Sequence, residues 1–153
     1  MPLAAQPLGD MVEAVAADAP APGSGAAAAV ALALAAACAA KAFTITARRL
    51  GGDAGLAAAA EEARGLADEA LAAGDRDAAG FEAFVAKAPG AAGELVEASD
   101  ALGRVAERLA ALCRAQDAAV RGSLEADIDA ALSLAAAAAA IGAVNRAQAE
   151  KAG

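Results

Sequence analysis

The chain of 153 residues carries 12 basic and 20 acidic side chains, for a net charge of −8, and is 59% hydrophobic with only 2% aromatic residues. It has no histidine, which removes histidine general bases, Ser-His-Asp triads, histidine-bound zinc and haem, and leaves acid–base chemistry to carboxylates, lysine, cysteine or the backbone. The acidic balance and the shortage of rings argue against nucleic acid and against docking on an anionic membrane.

Alanine supplies most of the hydrophobic fraction, and as the strongest helix former it predicts an all-α chain. Leu8, Met11, Val12 and Val15 recur at helical spacing and predict a short helix to about Ala17, stopped by Pro20 and Pro22. Ser24 is placed to cap a second helix running to about Leu50 and ending at Gly51-Gly52. A third is expected from Asp53 to Gly74, and a fourth from Asp75, with Phe81, Phe84 and Val85 as its apolar stripe, to Pro89-Gly90. The fifth, about Ala92 to Val120, has the cleanest seam: Leu95, Ala98, Leu102, Val105, Leu109 and Leu112 alternate at three and four residues. The last runs from Leu124 to about Lys151 and is nearly all alanine in its middle. The expectation is one Ala-rich bundle of five to six helices in a single domain. Two of its helices are apolar almost all round, which predicts a homodimer that covers them.

The remaining class signals are local. Cys38 and Cys113 belong to no CxxC and read as small apolar core residues of a protein in a reducing cytoplasm. Met1–Pro22 has no Lys or Arg and so lacks the basic start of a signal peptide. The uncharged stretches Gly23–Ala40 and Ala130–Val144 read as buried helices rather than membrane spans, because alanine is only weakly hydrophobic.

Four places could carry chemistry. Pro20-Ala21-Pro22-Gly23-Ser24-Gly25 leads straight into the long second helix; two glycines permit close approach and the first helical turn offers free N–H donors, an anion cradle or simply a tight turn with a Ser cap. Asp77 and Phe81 lie one turn apart, so the ring can desolvate the carboxylate and raise its pKa toward a range useful for proton transfer; capping by Asp75 or Asp77 is the plainer alternative. Lys41, Arg48 and Arg49 form a basic group late on the second helix, where they also complement its dipole. Asp127 and Asp129 open the last helix, with Asn145 near its end.

Together these strings resemble the cyclodeaminase/cyclohydrolase family, which includes the cyclodeaminase part of formiminotransferase-cyclodeaminase and a methenyltetrahydrofolate cyclohydrolase. The first matching region runs from about Leu8 to Arg49 and places Pro20, Pro22, Gly23, Gly25, Thr46 and Arg48-Arg49 on the family's proline-glycine signature and the end of its second helix. Asp77 and Phe81 match its Asp and Phe, and Asp127 and Asn145 match its last-helix Asp and Asn. The chain departs from the pattern at Gly23-Ser24-Gly25-Ala26, where the family has GGGS, and at Ala88-Pro89-Gly90, which lacks the family's lysine. The resemblance implies an all-α dimer acting on the one-carbon unit of tetrahydrofolate without metal or redox cofactor. It assigns Asp77 and Asp127 as catalytic and Pro22, Gly23, Ser24, Gly25, Arg48, Arg49, Phe81 and Asn145 as substrate-binding, with Arg48 or Arg49 taking a glutamyl carboxylate. Two other readings stay open: a divergent member acting on a non-folate amidine or iminium, and a non-catalytic helical dimer that binds a ligand or protein.

Overall fold

In the computed structural model, which describes residues 1–152, the order is a short 3-10 turn at Leu3–Ala5, then α1 (Leu8–Ala16), α2 (Ser24–Arg49), α3 (Ala54–Val85) and α4 (Ala91–Gln116). A 3-10 turn at Gly122–Leu124 leads into α5 (Glu125–Ala152). The described residues contain no strand. The four long helices close into a ring: α2 packs on α3 and α5, and α4 completes the bundle against α3 and α5. The bundle is all-α, as composition requires.

Alanine decides how α2 sits. Ala28, Ala29, Ala35, Ala36 and Ala39 are buried along it, as are Ala59, Ala60, Ala63, Ala70 and Ala73 along α3, the helix it packs on most extensively. With so little side chain between them the axes can approach the lower end of the usual spacing of about 8–10 Å. Bulk is supplied at a few points only, with Phe43, Leu32, Leu66, Leu109 and Ile128 the largest fully buried side chains. At a site of that kind, Leu32→Ala would cost about 2–5 kcal/mol.

The helix ends follow local chemistry. Gly51 and Gly52 have φ of 74° and 93°, and the Gly52 N–H donates back to the Ala47 carbonyl at 2.9 Å, closing α2 as a left-handed cap does. Asp53 caps α3 by accepting from the Leu56 N–H at 2.8 Å. Ser24 does not cap α2: Gly23 holds the N-cap position, and no side chain caps it. α4 stops at Gln116 rather than Val120, where the Arg121 guanidinium donates to the Asp117 and Val120 carbonyls at 2.8 and 2.7 Å.

The break expected at Gly74 is absent, and the third and fourth predicted helices are one continuous α3. Gly74 is buried where α3 crosses α2: a Cβ there would lie 2.5 Å from Ala29 Cβ and 2.6 Å from Leu3 Cδ1. A glycine inside a helix costs about 1 kcal/mol, less than the packing that its bareness permits. Asp75 caps nothing on α3; its carboxylate accepts from the Leu3 N–H at 2.8 Å and ties down the N-terminal turn.

Burial of the apolar helices is uneven. α2 and the segment Gly122–Ala152 are long and apolar enough to cross a membrane by length and composition, with 50% and 28% of the respective apolar windows buried. The expectation that both are buried helices therefore fits α2 better than α5, whose Ala136, Ala137, Ala140 and Val144 are exposed. On α1 only Met11 is buried, while Leu8, Val12 and Val15 face outward. Cys113 is buried and Cys38 half-buried, both free thiols; burial pushes the Cys113 thiol up to about 11, against a smaller lowering by Arg114, which keeps it protonated and unreactive.

Candidate functional site

The antiparallel ring brings four helix ends to one place: the start of α2, the last turns of α3, the start of α4 and the end of α5. Between them lies a chamber of about 430 Å³, within the usual range of about 300–1,000 Å³ for ligand sites. Pro20, Gly23 and Ser24 line it from the entry to α2; Asp77, Phe81 and Phe84 come from α3; Leu95 and Ser99 from α4; Asn145, Gln148 and Ala149 from α5.

The turn before α2 does what its glycines permit. Gly25 is buried, and a Cβ built on it would overlap the Asp77 carboxylate. The carboxylate thus rests against the first turn of α2, where the N–H groups of Ser24, Gly25 and Ala26 have no intrahelical acceptor. Pro22, in a cis peptide with Ala21, is half-buried just ahead of this turn. Ser24 is the first helical residue, and its hydroxyl donates to Asn145 Oδ1 at 3.1 Å, pinning the start of α2 to the end of α5.

Burial raises the Asp77 carboxyl above its ordinary value. Desolvation by α2 and the apolar walls penalises the charged form. Phe81 follows one turn along α3 with its ring 6.3 Å from that of Phe84, the two planes 29° apart, so the same wall carries an acid and an aromatic pair. Among the described residues no lysine or arginine lines the chamber, and Asp77 is its one ionisable side chain.

Of the residues singled out in the sequence, Gly23, Ser24, Asp77, Phe81 and Asn145 line this chamber, and Gly25 meets Asp77 and Asn145 in the crevice behind it. Asp127 does not join them. It pairs with Lys41 of α2, with Lys41 Nζ 3.0 Å from Oδ2, and its separation from Asn145 is roughly 27 Å along α5 at about 1.5 Å per residue. Arg48 and Arg49 are exposed in the last turn of α2, about 36 Å along the axis from Ser24. Thr46 is buried and bonded within its own helix. Ser99 and Gln148 enter the chamber without a prior signal beyond their spacing: Ser99 follows the seam residue Leu95 by one turn. Among the described residues no group of three or more Cys, Asp or Glu is placed to hold a metal ion. No protein-family model and no curated protein sequence matches the chain.

Proposed function

We propose that the chain is an enzyme of the tetrahydrofolate one-carbon unit, acting as a formiminotetrahydrofolate cyclodeaminase or a methenyltetrahydrofolate cyclohydrolase. The observation that supports this is the partly desolvated Asp77 carboxyl, facing an otherwise uncharged, aromatic-walled chamber beside a helix start.

Both reactions pass through a tetrahedral carbon between N5 and N10 and need a proton moved at that carbon's substituents. In hydrolysis, Asp77 takes a proton from water as the oxygen adds to the cationic methenyl carbon; it then returns that proton to N5 as the carbon–N5 bond breaks, and the hydroxyl gives its remaining proton to solvent as the carbonyl forms, leaving the formyl group on N10. In ring closure the protonated formimino group receives N10 at its carbon. Asp77 takes the N10 proton and returns it to the nitrogen that leaves as ammonia, and the bridge keeps the positive charge. A carboxyl whose pKa is raised toward neutrality serves both directions better than an ordinary one. The Phe81–Phe84 wall supplies an apolar face for a planar ring system.

The test is the absorbance of the methenyl bridge, followed as purified protein forms it or hydrolyses it. Activity in either direction that falls with Asp77→Asn supports the reading; a silent assay in both directions removes it. A second reading, a non-folate amidine or iminium as substrate, is supported by the lining itself. Among the described residues no cation in the chamber stands to take a glutamyl carboxylate, and Arg48 and Arg49 are at the other end of α2.

A further inference from the structure

Two polar side chains are buried in the bundle, Thr46 and Ser99, at 5% and 6% exposure. They solve the same problem differently. The Thr46 hydroxyl donates to the Ala42 carbonyl one turn back at 2.8 Å, the common way for a helical hydroxyl to be satisfied. Ser99 makes no hydrogen bond through its hydroxyl among the described residues, yet no fully enclosed side-chain oxygen or nitrogen there lacks a partner. Its Oγ therefore reaches open space. Ser99 and Leu95, one turn apart on α4, both line the chamber together with Asp77 and Asn145, and behind it Ser99, Asp77, Gly25 and Asn145 border a gap too narrow to hold a water. A buried hydroxyl with no protein partner is one that an entering ligand can satisfy.

The chamber's charge says which ligand. Among the described residues its one ionisable side chain is an acid, its other polar side chains are neutral, and its aromatic wall attracts positive charge. We propose that Ser99 is a specificity-determining residue: its hydroxyl accepts one N–H of a planar amidinium while the Asp77 carboxylate accepts another, so the chamber selects cationic nitrogen ligands over carboxylates of the same shape. The proposal rests on reading this chamber as the site of amidine chemistry, and it does not depend on turnover of any folate.

Calorimetric titration with benzamidine, benzamide and benzoate tests it, since the three share a ring and a shape and differ in charge. The expected order is benzamidine, then benzamide, then benzoate, with at least about tenfold between the first and the last. Ser99→Ala is expected to weaken benzamidine about tenfold, the scale of one hydrogen bond to a charged group, with helicity and melting temperature unchanged. Benzoate binding as tightly as benzamidine overturns the proposal, as does absence of benzamidine binding. Unchanged affinity in Ser99→Ala also overturns it, and means that the hydroxyl opens instead on the outer α4–α5 groove beside Asp100 and Arg146, which Ser99 also borders. If Ser99→Ala does not fold, the Ser99 amide resonance of the wild-type chain is followed during benzamidine titration, and an unmoved resonance overturns the proposal equally. The outcomes separate from those of the folate assay. Ser99-dependent amidine binding with a silent folate assay removes the folate reading alone; folate turnover without a preference for cations removes this inference alone.

Discussion

Gly25 of α2 and Asp77 of α3 occupy adjoining space so closely that a Cβ on the glycine would overlap the carboxylate. The nearest atoms belong to the end of a side chain, not to backbone, so a larger residue at this position displaces the acid without prising the helices apart. Gly25→Ala also gains some helix propensity, though less than the ~1 kcal/mol of a helix interior because Gly25 is the second residue of α2. Its expected phenotype is a folded protein with a misplaced acid: circular dichroism and melting temperature near wild type, ligand affinity or turnover reduced by about 10²-fold, in line with the cost of a misplacement of about 1 Å. Gly25→Val should abolish binding with helicity retained; unchanged binding would reduce the turn to a plain helix start.

Asp77→Asn separates chemistry from structure. As the proton-transfer group, Asp77 should be worth about 10²–10⁴-fold in turnover, with affinity for a neutral ligand changed far less. Stability should move the other way. Because burial raises the folded-state pKa of Asp77 above its ordinary value of 3.8, the folded state holds the proton more tightly than the unfolded chain does. The contribution of this group is then fully present below 3.8 and lost as pH rises through the raised value. The wild-type chain should therefore lose stability relative to Asp77→Asn over that window, and the variant should be at least as stable at neutral pH. Parallel denaturant titrations across the acid range check the sign, and a wild-type advantage that grows with pH would contradict it.

Asp127, like Asp77 a carboxylate singled out in the sequence, has different surroundings. Its partner Lys41 is largely solvated, with a side-chain exposure of 58%, and exposed ion pairs are worth about 0.2–1 kcal/mol. Asp127→Asn is expected to change stability within that range and leave turnover within about twofold of wild type. A loss comparable to that of Asp77→Asn would place a second functional centre at the far end of the bundle.

The outward face of α5 carries no charge from Ala130 to Asn145 and leaves Ala136, Ala137, Ala140 and Val144 exposed. A face so long and apolar predicts association with a second copy, since alanine surfaces can meet closely over their whole length. Light scattering at micromolar concentration should give twice the chain mass of 14.5 kDa. Ala137→Glu should return it to the monomer while leaving helicity intact, because the position is already solvated in the single chain. A monomeric wild type would exclude the dimer.

Helices are built from interactions reaching three or four residues, and so their presence was legible from the sequence. Alanine propensity, the Leu95–Leu109 seam and the Gly51-Gly52 stop are all local, and the α class with its long elements follows from them; Pro89-Gly90 marks the next break less closely, since α3 already ends at Val85, Lys87 turns left-handed at φ 59°, and Gly90 is the N-cap of α4. The proximity of Phe81 to Asp77 is local too, one turn of one helix. What tertiary structure alone decided is everything that depends on register between helices. Gly74-Asp75 has the form of a helix end followed by a cap, yet α3 runs through it, because contact with Ala29 and Leu3 outweighs a propensity cost of about 1 kcal/mol. The antiparallel pairing of α2 with α5 joins Ser24 to Asn145 at one end and Lys41 to Asp127 at the other, which puts Asn145 in the chamber and leaves Asp127 out. The packing of α3 on α4 likewise brings Ser99 and Asp77 to one chamber: which helix faces which, and at what height, is a property of the packed core and of no segment read alone.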